Sequence, residues 1–289
     1  MSKLISDKFK EWEKLSDERF NRLKENEEKL NKFFISAYGL EKELTPEVSD
    51  KDVTLRRADL QREIKSLISY AVGCIFGRYS LDREGLCYAG GEWDNSAYST
   101  IIPCEDNIMT INSVNSGLTA SVIEFIEKAY GSDTLEENLS FIVQALGGNG
   151  DAREVIHNYL RKSFFKEHSK IYRNRPIYWQ FTSGSKKAFK AVMYIHRYTP
   201  ETLSILKEKH AVPYYEQLKI LLSEQKSEYR SAESSKKAAI RRNISRTQTL
   251  LLEMESFIHK LNILADENIV LDLDDGVKNN YEKLKEILE

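Results

Sequence analysis

The chain has little from which to build a disulfide frame, a phosphate loop or a membrane span. Its three cysteines, Cys74, Cys87 and Cys104, are odd in number and show no CxxC spacing, which argues for reduced thiols in a cytoplasmic protein. The first twenty residues mix Lys, Asp and Glu with no apolar core, so no secretory signal is read there. No apolar run reaches the ~18 residues a spanning helix needs. A GxxxxGK[ST] loop is absent, and "LGGNGD" up to Asp151 reads as a mobile connection between helices. The five histidines (His157, His168, His196, His210, His259) contain no i, i+4 pair and no HExxH, so no zinc protease face is visible. One-signed charge is also missing in the total, since the net charge of the 289 residues is −2; any electrostatic footprint must be local.

What is present is helix. Residues 6 to 38 read as one long helix, with apolar side chains recurring at Ile5, Phe9, Trp12, Leu23, Leu30 and Phe33, near helical spacing, and Gly39 fitting the stop. A second helix is expected from about Leu55 to Tyr79, its centre "LISYAVGCIFG" apolar all round and therefore buried. Loops and short strands follow, then three short helices near 119–130, 136–146 and 152–161. Residues 214 to about 264 read as one helix of some fifty residues, with a polar, basic middle "RSAESSKKAAIRRNISR" that fits a bend, a loop tip or a solvent-facing stretch. The tail offers a short strand, a turn at Asp275-Gly276 and a last helix. "DLDDG" lacks the spacing and terminal Glu of a calcium loop and reads as a turn.

Between these helices lies "NRPIYWQFTSGSKKAFKAVMYIHRYTP". Ile177, Trp179 and Phe181 alternate onto one face of a strand, and Tyr178, Gln180 and Thr182 onto the other. Ser183 to Lys187 make a turn, and Phe189, Ala191, Met193 and Ile195 return opposite Val192 and Tyr194. Both faces are partly apolar, so the hairpin is expected to be buried and its aromatics to be core. What it presents is then charge: Arg173, Arg175 and Arg197 at its ends, Lys186, Lys187 and Lys190 at its tip and return.

Charge is concentrated elsewhere too. Residues 151–190 hold ten Lys or Arg against three acids, residues 230–246 six against Glu233, and residues 265–289 eight acids against three lysines. Clustered cations are what phosphate neutralisation requires; a solvated helix face is the plainer reading of the same runs. The candidate nucleic-acid contacts are Arg173, Arg175, Lys186, Lys187, Lys190, Arg197, Lys236, Lys237, Arg241 and Arg242.

The blocks "LNKFFISAYGLEKELTPEV", "ADLQREIKSLISYAVGCIFGRYSLDREGLCYAGGEW", "RPIYWQFTSGSKKAFKAVMYIHRY" and "LDLDDGVKNNYEKL" resemble the C-terminal region of the PglX family. These are adenine-specific DNA methyltransferases of BREX phage-defence systems, related to type IIG restriction-modification enzymes. The first block is also similar to the helix end that follows target-recognition domains in type I specificity subunits, where long helices act as spacers. In the family, S-adenosylmethionine and the Asn-Pro-Pro-Tyr turn belong to an upstream domain. Here the five prolines (46, 103, 176, 200, 213) are all separated, so no catalytic residue carries over and the chain is expected to be inactive alone, with no cofactor or metal of its own.

The expectation is thus a mainly α fold with a small β component, in which two long antiparallel helices flank a globular lobe with a β-hairpin. A spacer helix would occupy 1–50, a recognition lobe 51–205, and a long helix with its tail 206–289, packing on the N-terminal helix. The partners implied are double-stranded DNA, the methyltransferase domain upstream or as a separate chain, and other defence-system proteins, with no membrane. The competing expectation is a protein-interaction scaffold of the same system that does not touch DNA.

Overall fold

The computed structural model describes residues 3–289. Its helices are α1 (Ile5–Tyr38), α2 (Leu60–Ile75), α3 (Gly117–Tyr130), α4 (Leu135–Ala145), α5 (Ala152–Tyr159), α6 (Phe165–Ile171), α7 (Thr202–Ile205), α8 (Val212–Ser231), α9 (Ser234–Asp266) and α10 (Val277–Leu284). The strands are β1 (Ile108–Thr110), β2 (Tyr178–Thr182) and β3 (Lys190–Tyr194). The fold is therefore mainly α with one small antiparallel sheet, as the sequence implies. No described helix is long and apolar enough to cross a membrane.

The chain divides into two compact units. The first holds the residues up to Ile68 together with Tyr130–Asn149. Leu4, at the start of α1, offers no side-chain cap; Asn138 of α4 supplies one from across the sequence. Its Oδ1 accepts the Ile5 amide at 2.8 Å and its Nδ2 donates to the Lys3 carbonyl at 3.0 Å. This satisfies groups that a helix end leaves orphaned. At the other end Gly39 adopts φ 65°, and Leu40 N–H donates back to the Ile35 carbonyl, the left-handed stop expected of glycine.

The second unit holds Ser69–Ala129 and Gly150–Glu289. Its sheet has the order β1-β3-β2, all antiparallel, with Trp179 opposite Met193 and Phe181 opposite Ala191. The alternation read from the sequence is the one observed. Trp179, Phe181, Phe189, Ala191, Met193 and Ile195 share one core with Leu251, Met254, Phe257 and Leu261 of α9. Tyr178 and Tyr194 face the other way, where Tyr178 stacks near Phe76 and Phe164. Beyond β2, Thr182 N–H donates to the Ile287 carbonyl and Glu289 N–H to the Gln180 carbonyl, so the chain's last residues lie along the β2 edge.

The expected fifty-residue helix is two helices. The chain leaves α8 at Ala232, in extended backbone, and enters α9 at Ser234. No glycine or proline marks the break; at the end of α8 the Ser231 hydroxyl donates to the carbonyls of Ser227 and Glu228, the competition for backbone groups by which serine weakens a helix. Folding back lets the apolar stripes at the two ends, Leu218 of α8 and Leu251 and Met254 of α9, share one core, which a straight helix would hold apart. The polar middle is the tip of that helical hairpin.

Candidate functional site

All ten candidate contacts lie in the second unit, and the structure sorts them. After α6, Arg173 and Asn174 are both left-handed, with φ 53° and 61°. Amides of Arg173, Asn174 and Arg175 bond back to the carbonyls of Lys170, Ser169 and Tyr172, which holds this strained corner. The side chains of Arg173 and Arg175 are exposed. Beneath them His168 is buried, and its Nε2 accepts the amides of Ile177 and Tyr178 at 3.1 and 3.2 Å. Burial, with the Arg78 charge, pushes His168 down to about 4. A neutral histidine thus ties the corner to β2.

The β2–β3 turn is held from outside the hairpin. Glu253 of α9 accepts from Ser183 Oγ at 2.7 Å, from the Lys186 amide at 2.7 Å and from the Ala188 amide at 2.9 Å. Burial raises the Glu253 pKa, but these hydrogen bonds and the Lys186 charge outweigh it and leave the carboxyl below its usual range. Gly184 sits against that carboxylate; a Cβ there would meet Glu253 Oε2 at 3.0 Å, at a φ of 139°. The turn presents Lys186 and Lys187 to solvent. Lys187 Nζ reaches Glu289 at 2.7 Å.

Two candidates are turned inward. Lys190 is 1% exposed. Its ammonium donates to the Arg161 carbonyl at 2.9 Å and pairs with the Glu289 carboxylate. A residue on the return strand whose neighbours alternate into two cores has no path to solvent. Arg197 is half-buried: it donates to the carbonyls of Cys104 (2.8 Å) and Glu105 (3.0 Å), and its guanidinium lies 4.5 Å from the Trp93 ring centroid. Both are structural cations and neither forms part of an exposed patch.

The second cluster stands at the α8–α9 tip. On α9 the buried positions are Ile240, Thr247, Leu251, Met254, Phe257, Leu261 and Ala265. Arg241 and Arg242 follow Ile240 by ~100° and ~200° around the helix and so turn away from the packed stripe. Lys236, Arg241 and Arg242 are exposed, and Lys237 lies over the Tyr229 ring at 5.5 Å, bridging the two helices. Burial lowers the Arg161 pKa, and the charge of Arg246 on α9 adds to that lowering. Arg161 itself is held by the carbonyls of Ile111 and Lys187.

The residues that shape the site, Arg161, Glu253 and Glu289, were not among the candidates. An acid within the largely apolar run "LLLEMESF", which also holds Glu255, was the available signal for Glu253. Glu289 offered none. The "DLDDG" segment forms a turn, in which Asp272 accepts the Asp274 amide at 2.9 Å and is bonded by Asn280.

No family model matches this sequence. It is 44% identical over 283 residues to the adenine-specific methyltransferase PglX of Lacticaseibacillus casei, covering 95% of this chain and 24% of that protein. It is 35% identical over 276 residues to the adenine-specific methyltransferase BrxX of Escherichia coli O9:H4, covering 90% of this chain and 22% of that protein. The chain spans about a quarter of the length of these relatives, and the resemblance drawn from its sequence blocks holds over nearly all of it.

Proposed function

We infer, from a chain related to about a quarter of the PglX-type adenine-specific methyltransferases, that this is a non-catalytic DNA-recognition and spacer part of an adenine-N6 DNA methyltransferase of a phage-defence system. Methyl transfer and S-adenosylmethionine binding belong to the rest of such a protein, because the separated prolines here leave no Asn-Pro-Pro-aromatic turn. The observation that carries the reading is the exposure, without ion pairs, of Arg173, Arg175, Lys186, Lys236, Arg241 and Arg242 on one unit among the described residues. Exposed cations of this kind bind backbone phosphate, fix register, and leave sequence reading to the groups beside them. A duplex held in this way can present its adenine for extrusion into a methyltransferase pocket.

Gel shifts with duplex DNA across a salt series test it. The expected result is binding that weakens steeply as salt rises; no shift even at low salt refutes it.

A second reading draws on the first unit. At the end of α1, Phe33 is 67% and Tyr38 73% exposed, beside exposed Leu30, Phe34 and Leu44. Exposed aromatics in such number suit a protein partner. Capture of the remaining methyltransferase portion, unchanged by added DNA and abolished by Phe33→Ser/Tyr38→Ser, would favour a scaffold role.

A further inference from the structure

Alongside the start of β2 and the start of α10 lies a groove of about 870 Å³, a size typical of small-molecule sites. Its walls are apolar: Phe165, Pro176, Val277, Tyr281 and Leu288 line it. Trp179 closes its base, edge-on to Tyr281 with ring centroids 6.1 Å apart. Its rim is cationic, formed by Arg173, Arg175 and Lys278. No ion pair or hydrogen bond engages these three head groups among the described residues. Lys278 acts only at longer range, on Glu282.

Three further features converge there. The paired left-handed residues Arg173 and Asn174 fix where the rim stands, and non-glycine residues adopt that conformation at an energetic cost. Gly276, Val277 and Lys278 begin α10, so the positive end of its dipole faces the same space. Gln180, 1% exposed, also lines the groove. Its Nε2 donates to Glu289, and its Oε1 is buried with no donor, a state that buried carbonyls rarely tolerate. The opposing charges are Asp275, on the rim, and Glu289, which Lys187 and Lys190 already neutralise.

We propose that this groove binds a nucleoside phosphate, its ring against the Phe165–Tyr281 walls and its phosphate among Arg173, Arg175 and Lys278. Apolar walls alone would suit any hydrophobe, and a cationic rim alone any anion. A planar ring carrying an anion uses both. A free mononucleotide and a nucleotide unstacked from a strand share this chemistry. The assignment goes beyond the duplex reading: it shares Arg173 and Arg175 with that reading, but neither Lys186 nor the α8–α9 tip lines the groove.

Calorimetric titration of the whole chain with dAMP, dCMP, inorganic phosphate, deoxyadenosine and a short single-stranded oligonucleotide tests it. The mononucleotides are expected to bind at least about tenfold more tightly than phosphate or deoxyadenosine alone. Arg173→Ala/Arg175→Ala should weaken the mononucleotides by about tenfold or more and leave deoxyadenosine unchanged. Asp275→Asn should tighten the mononucleotides. Val277→Trp, which fills the groove, should abolish both kinds of binding while circular dichroism stays unchanged. An oligonucleotide binding more tightly than dAMP identifies a strand as the source; equal or weaker binding identifies the free nucleotide. The proposal is overturned if no mononucleotide binds up to about 5 mM, if phosphate alone matches dAMP, or if the arginine pair and Val277→Trp leave affinity unchanged. Duplex gel shifts with the unaltered chain keep the two readings separate: no duplex shift with mononucleotide binding intact counts against DNA recognition alone.

Discussion

Glu253 of α9 accepts the backbone amide of Lys186 at 2.7 Å. A helix carboxylate therefore joins the hairpin's own hydrogen bonds, Lys187 N–H to the Gly184 carbonyl and Ser183 N–H to the Phe189 carbonyl, in fixing the turn that presents Lys186 and Lys187. Glu253→Ala removes three accepted hydrogen bonds and leaves the Ser183 hydroxyl and two amides to water. A loss of about 2 kcal/mol is expected, read as a lower urea midpoint with an unchanged slope. Gly184→Ala should behave similarly, through strain at its positive φ.

The Lys190–Glu289 pair is buried on the lysine side, and its loss should be felt in stability alone. Burial lowers the Lys190 pKa and the Glu289 carboxylate opposes that lowering. Lys190→Met leaves Glu289 with Lys187 as its one cation beside the Gln180 amide, and should cost about 3 kcal/mol. The salt dependence of duplex binding should not change in this variant, because Lys190 does not reach solvent.

Arg241→Ala/Arg242→Ala should do the reverse. Both side chains are exposed and lie off the packed face of α9, so thermal stability should hold. Duplex affinity should fall evenly across sequences, and the slope of log K against log salt should flatten by about 2. An unchanged slope would remove the α8–α9 tip from the interface.

His168 gives a pH signature. It sits at about 4 when folded, below the ordinary imidazole value of about 6.5 in an unfolded chain. The unfolded state then binds more protons between these values, so this contribution is complete above pH 6.5 and is lost as pH falls toward 4. The difference amounts to ~3 kcal/mol. Chemical unfolding at several pH values should show that slope, and His168→Gln should flatten it. Below pH 5 a further decline is expected from Glu253 and Glu289, both held below the ordinary carboxylate range.

Asn138→Ala removes the cap that α4 lends to α1. The Ile5 amide loses its acceptor, and a destabilisation of about 1 kcal/mol is expected. Hydrogen exchange at the start of α1 should rise first.

Much of this was legible in the sequence, for physical reasons that can be named. The 3.6 and 2.0 periods of apolar residues report burial directly, so α1 and both faces of the β2–β3 hairpin followed from spacing. Pairing across distance has no such periodic trace. Lys190 looked like its neighbours Lys186 and Lys187; only the alternation of β3, with a carboxylate 99 residues later, turned it inward. Arg197 is engaged by carbonyls, and carbonyls are sequence-blind. The polar middle fits a bend or a loop tip, but its sequence does not choose between these and one continuous helix, because the fold-back is driven by the matching of two apolar stripes and not by a breaker residue. Sequence blocks showed the relationship to PglX, but the groove beside β2 exists only once α6, β2 and α10 meet.

The first unit is discontinuous, and this shapes how the protein can be made. Asn138 and α4 emerge from the ribosome more than a hundred residues after α1. During that interval the start of α1 is uncapped. Domains generally complete as units during synthesis, so here α1 must wait for a distant downstream segment, with part of the second unit already extruded between them.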